Sequence, residues 1–258
     1  MRTMLLLALL ATLPCRAAPG MQIEVQGTEF ILTLQDGSQR RSADLAGAIL
    51  TLPDGQRLRI DAVEPETLPQ GGQIWLHALS VHGADGWTPL CEPDGGGRSL
   101  GFPLPGTFTE DGIYTPAPGL LSLSCTGGAQ AKCIRAGYAP WKTGPQDLGL
   151  AGHYSACIRM IRADYCGDLA AHTLDGTVID IYDDIRVQDS DASLEGMRFE
   201  AGWGPHGAVC VAHTRIPGML DLATLRAACP RLASAPAGQA CTEDWARAHG
   251  AILFNRSR

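Results

Sequence analysis

The sequence predicts an α+β fold: a β-rich antiparallel N-terminal region followed by a disulfide-stapled domain that mixes helices and strands. Three observations carry that expectation. Aspartate–glycine pairs recur at 36–37, 54–55, 85–86, 94–95 and 111–112, several flanked by alternating apolar residues. Apolar residues at helical spacing appear in the second half. Eight cysteines lie between 91 and 241.

The first region runs from about 18 to 112. EFILTLQDG (29–37), AILTLPDGQRLRI (48–60) and IWLHALSVHGADGW (74–87) each look like a strand entering a tight turn. Glycine tolerates positive φ and aspartate bonds the local backbone, so such pairs suit hairpins. Hairpins in series suggest a small antiparallel barrel or sandwich. CEPDGGGRSLGFPLPG (91–106) follows, and its glycines and prolines predict an irregular loop.

The second region spans 113–258. Strands are expected at 120–124, 177–182, 197–203 and 208–213. A helix is expected over 146–162, where Tyr154, Ile158, Ile161 and Tyr165 recur on one face. A second helix fits 220–229, stopped by Pro230, and a third follows Thr242 as cap and ends at Gly250.

The first seventeen residues read as a secretory signal peptide. Arg2 precedes an apolar core from Met4 to Leu13, too short to span a bilayer, and Ala17 suits the cleavage point. Lipid anchoring through Cys15 fits poorly, because Pro14 stands where a small residue is wanted. No later stretch is long and apolar enough for a membrane helix. An exported protein, periplasmic or extracellular, is expected. Removing the leader leaves 18 basic against 27 acidic residues, a net charge of −9. That balance argues against nucleic acid as a partner. The scarcity of lysine and asparagine resembles a GC-rich bacterial genome.

Cleavage also removes Cys15 and leaves Cys91, Cys125, Cys133, Cys157, Cys166, Cys210, Cys229 and Cys241. An even number in an exported chain reads as a disulfide framework, with 105 pairings open.

CIRMIRADYCGD (157–168) followed by HTLDGTVIDIYD (172–183) resembles the bacterial ADYC-domain proteins, named for Ala163-Asp164-Tyr165-Cys166. AKCIRAGYAPW (131–141) and FEAGWGPHGAVC (199–210) carry the likeness to both sides, over roughly 120–255. The resemblance implies an exported bacterial protein of unestablished role and supplies no catalytic residue. In the family the CGD step is followed by glycine; here Leu169 follows, which puts a tight polar loop in doubt.

The residues offer several candidate chemistries. Cys166, with Arg159 and Arg162 nearby to favour a thiolate, is the nucleophile candidate of a cysteine hydrolase. His153, Asp164, Asp168, His172 and Asp175 are its candidate acid–base partners. Export and the even cysteine count favour a bridge instead, and a bridged sulfur is no nucleophile. His153 and Cys157, four apart, would make half a zinc site, but no Cys-x-x-Cys or His-x-x-x-His pair occurs to complete it. No metal or other cofactor is expected. Asp189, Asp191, Ser193 and Glu200 fall at positions 1, 3, 5 and 12 of a calcium loop, although Leu194 replaces the glycine needed at position 6. Trp87, Trp141, Trp203 and Tyr138 could form a sugar-binding face but suit a core better. GRSLG (97–101) lacks the strand and helix a nucleophile elbow needs. Arg159, Arg162, Asp164 and Asp168 are expected as surface ion pairs and a helix cap. The NRS triplet at 255–257 fits a glycosylation acceptor, which a bacterial chain would ignore. The leading expectation is a noncatalytic binding or structural protein, with an envelope protein or a glycan as partner. A secreted hydrolase and a calcium- or glycan-binding module are the alternatives.

Overall fold

A computed structural model describes residues 13–14, 22–52, 55–109 and 113–258. Apart from Leu13 and Pro14, the expected leader with Cys15 lies outside the described residues, as does the Asp111–Gly112 turn. The first strands are β1 (Leu13–Pro14), β2 (Gln22–Gln26), β3 (Glu29–Thr33), β4 (Gln39–Arg41), β5 (Ile49–Thr51) and β6 (Arg57–Thr67). Next come β7 (Gln73–Gly83), β8 (Gly86–Pro89), β9 (Gly101–Pro105), β10 (Thr107–Phe108), β11 (Tyr114–Thr115) and β12 (Leu120–Cys125). Helices α1 (Ala129–Arg135) and α2 (Ala151–Arg162) precede β13 (Asp180–Asp183), β14 (Arg198–Gly204) and β15 (Gly207–Val211). The chain ends with α3 (Leu222–Ala228), α4 (Pro230–Ala233), α5 (Glu243–Ala248) and β16 (Leu253–Ser257).

The fold is α+β with antiparallel sheets and a strand-rich N-terminal region. Three hairpins form where aspartate–glycine pairs were read, with Gly37, Gly55 and Gly86 at positive φ. The largest sheet orders its strands β1-β12-β9-β7-β6-β5, with β8 on β7. β2, β3 and β4 form a second sheet against one of its faces, burying Ile23, Phe30, Leu58, Ile60 and Leu79 between them. On the other face, Ile74, Leu76, Phe102 and Leu104 pack against α1 and α2. Beyond those helices lies a four-stranded sheet, β13-β16-β14-β15, which contributes Ala201, Trp203 and Leu253 to the same core. The main core therefore joins residues from both halves of the chain.

The loop expected over 91–106 is irregular only to Leu100; residues 101–105 form buried strand β9. Pro103 and Pro105 lack the N–H that a central strand needs on both sides. β9 pairs along its length with β12 but meets β7 only at Gly101 and His77, so it behaves as an edge strand at its prolines. Helix α2 starts at Ala151 rather than 146, after a 3-10 turn at Pro145–Asp147.

His77, in the middle of β7, is fully buried. Its Nε2 lies 2.8 Å from Ser42 Oγ, which also accepts from the Phe30 amide, and its Nδ1 has no partner. Burial pushes its pKa from 6.5 down to about 4. Because the unfolded chain takes up this proton first, stability falls as pH drops from about 6.5 to 4, by about 3 kcal/mol in all. His153 and His213 are lowered in the same direction, also by burial. Urea midpoints measured between pH 7.5 and 4.5 should fall less steeply in His77→Gln than in the parent; equal slopes would exclude His77 as a source.

Candidate functional site

Helix α2 lies between two sheets, which explains why every residue from His153 to Met160 is buried. Its apolar periodicity describes one face, and the second sheet covers the other. The helix ends at Ala163, whose φ of 51° and ψ of 39° turn the chain into the left-handed region. Ala163 is itself fully buried, so a small side chain is required at this turn. The Asp164 amide donates to Arg159 O at 2.9 Å. Its carboxylate then gathers the chain that follows: Oδ1 accepts from the Gly167 and Asp168 amides at 2.8 and 3.0 Å, and Oδ2 from the Leu169 amide at 3.1 Å. Arg159 Nη1 completes the carboxylate at 2.6 Å, and both side chains are at most 2% exposed. This pair is therefore an interior feature and not the surface ion pair expected. Removing one partner from such a pair strands a buried charge.

Tyr165 stacks on Trp203 with ring centroids 5.2 Å apart. Its hydroxyl donates to Glu200 Oε1 at 2.9 Å and accepts from the Arg215 amide at 2.7 Å. Arg215 binds Glu200 through Nε and Nη2, and reaches the last α2 carbonyls at Met160 and Ile161. Arg215, rather than the helix's own acids and bases, thus caps the C-terminus of α2. Asn255 donates to Glu200 Oε2 at 2.8 Å and accepts from Trp203 Nε1 at 2.8 Å. Burial and the adjacent Glu200 push the Tyr165 hydroxyl well above its ordinary pKa. Cys166 bonds to Cys229 at the end of α3; Cys91–Cys125, Cys133–Cys157 and Cys210–Cys241 are the other bridges.

A cleft of about 750 Å³ opens beside this segment, between the two regions. It is lined by Asp94, Arg98 and Thr126, by Lys132 and Arg135 of α1, and by Ile161 and the 173–179 segment, including Leu174 and Asp175. Arg135 pairs with Glu66 at 2.7 Å, and Arg98 pairs with Glu64. The Asp94 carboxylate turns back on the Gly96 and Arg98 amides and on Thr126 Oγ1.

The ADYC domain family matches residues 42–217, about two thirds of the 258-residue chain. This chain belongs to the ADYC domain family. No curated protein and no solved structure gives a significant match. The matched span begins at Ser42 and takes in the β6–β7 hairpin as well as the motif. Each letter of the ADYC motif has a use in the geometry: a small residue for the helix turn, an acid that organises the loop, an aromatic on the buried network, and a sulfur in a bridge.

The loop after the motif remains tight despite Leu169. Leu169 holds φ at 73°, a conformation that costs an L-residue roughly 1–2 kcal/mol and glycine almost nothing. Gly167, at φ 77°, has no room for a side chain, because a Cβ would overlap the His206 carbonyl oxygen. Substitutions at these two ADYC-loop positions should have opposite signs. Leu169→Gly should raise stability by about 0.5–1 kcal/mol, and Gly167→Ala should lower it by at least about 2 kcal/mol. Chemical denaturation of both variants checks the pair of signs.

The candidate hydrolase residues do not converge on a free sulfur. Cys166 is bonded, and the Asp164 carboxylate is occupied as described. Asp168 is exposed and accepts from the Ala170 amide. His172 lies beside Tyr165, its Nδ1 3.2 Å from Ala163 O. His153 stacks on Tyr138 and is lowered in pKa by burial, while Asp175 lines the cleft. Cys157, the proposed zinc partner of His153, is bonded to Cys133. In the calcium template, Asp191 accepts from Ser193 locally and Asp189 is exposed, but Glu200 is buried with both oxygens engaged by Tyr165, Arg215 and Asn255. The four do not form a loop site. Among the described residues no three acidic, histidine or cysteine side chains gather as metal ligands.

Trp203 and Tyr138 are fully buried, whereas Trp87 lies on the first sheet between Arg57 and Arg59. The aromatics therefore form no common sugar-binding face. Asn255 is fully buried, which removes it as a glycosylation acceptor. Arg215 and Lys132 escaped sequence reasoning. Asn255 was visible as the chain's single asparagine, but nothing in its neighbourhood signalled burial beside Glu200.

Proposed function

We propose that this ADYC-family chain is an exported, noncatalytic binding protein, with the motif segment as its scaffold. One observation carries the reading: the reactive groups of the motif are consumed internally, while the cleft beside it leaves charged groups open. Four bridges support export, since disulfides persist in oxidising compartments. No helix among the described residues is long and apolar enough to cross a membrane. The β-rich region (18–112) and the C-terminal domain (113–258) both contribute lining residues to the cleft and share one core. The partner is a small molecule or a segment of an envelope component, a class that includes glycans.

The test is a thiol count on protein exported through its own leader, alkylated under denaturing conditions without reductant and mapped by mass. The expected result is a peptide ending at Ala17 removed, no free thiol, and Cys166 joined to Cys229. A free, fast-reacting Cys166 would overturn the noncatalytic reading in favour of a cysteine hydrolase.

A further inference from the structure

The cleft contains two charged side chains, Lys132 and Asp175, that have no hydrogen bond or ion pair among the described residues. The remaining charges lining it are engaged: Arg98 with Glu64, Arg135 and Arg215 with glutamates, and Asp94 with its own turn. Lys132 and Asp175 are opposite in sign and line the same cleft from separate segments, one on α1 and one on the 173–179 segment. Both are exposed, so neither has given up its hydration to the fold. Ile161 and Ile179 also line the cleft, and Leu174 is 56% exposed beside Asp175. The volume lies within the range of sites for compact ligands, about 300–1,000 Å³.

We propose that this cleft binds a zwitterionic peptide ligand, with its terminal carboxylate at Lys132, its ammonium at Asp175 and an aliphatic side chain against Ile161, Leu174 and Ile179. A purely anionic ligand would meet Lys132 but be repelled by Asp175, and the lining arginines Arg98 and Arg135 are already neutralised by Glu64 and Glu66. A neutral ligand would draw nothing from either charge. A zwitterion satisfies the two together, and charge-assisted hydrogen bonds in a cleft favour the matched ligand. The Thr126, Thr173 and Thr177 hydroxyls supply neutral partners for the peptide groups between its ends.

This inference rests on the binding-protein reading, and its test separates the two. Trileucine is titrated calorimetrically into the full-length exported protein, alongside its N-acetyl and C-amide forms, and the recovered peptide is weighed by mass spectrometry. The expected result is saturable binding of trileucine, with each blocked form weaker by about tenfold, the effect of one charge-assisted contact. Lys132→Gln should bind trileucine and its amide alike, and Asp175→Asn should bind trileucine and its acetyl form alike. Both positions are exposed, and unchanged melting temperatures verify that the variants fold. Failure of trileucine to bind at millimolar concentration, or binding indifferent to both variants, overturns the site and leaves the noncatalytic reading standing. Recovery of cleaved peptide, abolished by thiol alkylation, overturns the noncatalytic reading instead.

Discussion

Replacing Glu200 with alanine is expected to destabilise the protein by about 3–5 kcal/mol. Glu200 is fully buried, and its two oxygens receive Tyr165, Arg215 and Asn255. Truncation leaves the Arg215 guanidinium in the interior with only the α2 carbonyls for company. It also strands the Asn255 amide, and a buried polar group without a partner costs about 1–3 kcal/mol. The disturbance reaches the ADYC motif through the Tyr165 hydroxyl. The paired control is Glu200→Leu with Arg215→Met, which removes both charges and keeps the volume. Breaking one side of a buried pair costs more than replacing both, so the double variant should lose less than Glu200→Ala. Urea denaturation followed by tryptophan fluorescence measures both. A loss below about 1 kcal/mol in Glu200→Ala would show that the network is dispensable.

Removing the Cys166–Cys229 bridge as a double alanine variant should cost about 4 kcal/mol. The bridge closes 63 residues, the longest span of the four, and chain-entropy cost grows with loop length. It also ties the motif loop to the end of α3, where Leu225 and Leu232 already pack in the core and Arg231 donates to the Tyr165 and Ala208 carbonyls. The comparison is with Cys133–Cys157, which closes 24 residues and joins two helices already packed together. The first variant should show the larger shift in denaturation midpoint; the reverse order would mean that local packing around α3 outweighs the entropy of the unfolded chain.

Much of the secondary structure was legible because its signals are local. Asp36–Gly37 and Asp85–Gly86 mark their turns within two residues, and the strands on either side alternate around them. Thr242 accepts from the Trp245 amide as a helix cap, a contact spanning three residues. Helix α1 was not read as one: seven residues between strand and turn provide too little periodicity to stand out. The glycines and prolines of β9 predict a loop because they normally exclude regular structure, and only its position beside β12 makes the prolines tolerable. Glu200 fits position 12 of a calcium loop on spacing alone, because spacing conveys nothing about whether a carboxylate faces water.

Local patterns sufficed for the α+β class, the hairpin turns, the family motif at 163–166 and the presence of enough cysteines for four bridges, whereas the family's span, expected over roughly 120–255, is matched over 42–217. The local features follow from residues a few positions apart, where backbone geometry leaves little choice. The tertiary structure decided which cysteine meets which, since 105 pairings satisfy the count and only folding brings Cys166 to Cys229. It likewise decided that Asp164 and Glu200 face the interior, and that Lys132 and Asp175 line one cleft. The disulfide and the Glu200 network join residues 15 to 63 positions apart, and no local pattern encodes the water that is excluded when distant surfaces close.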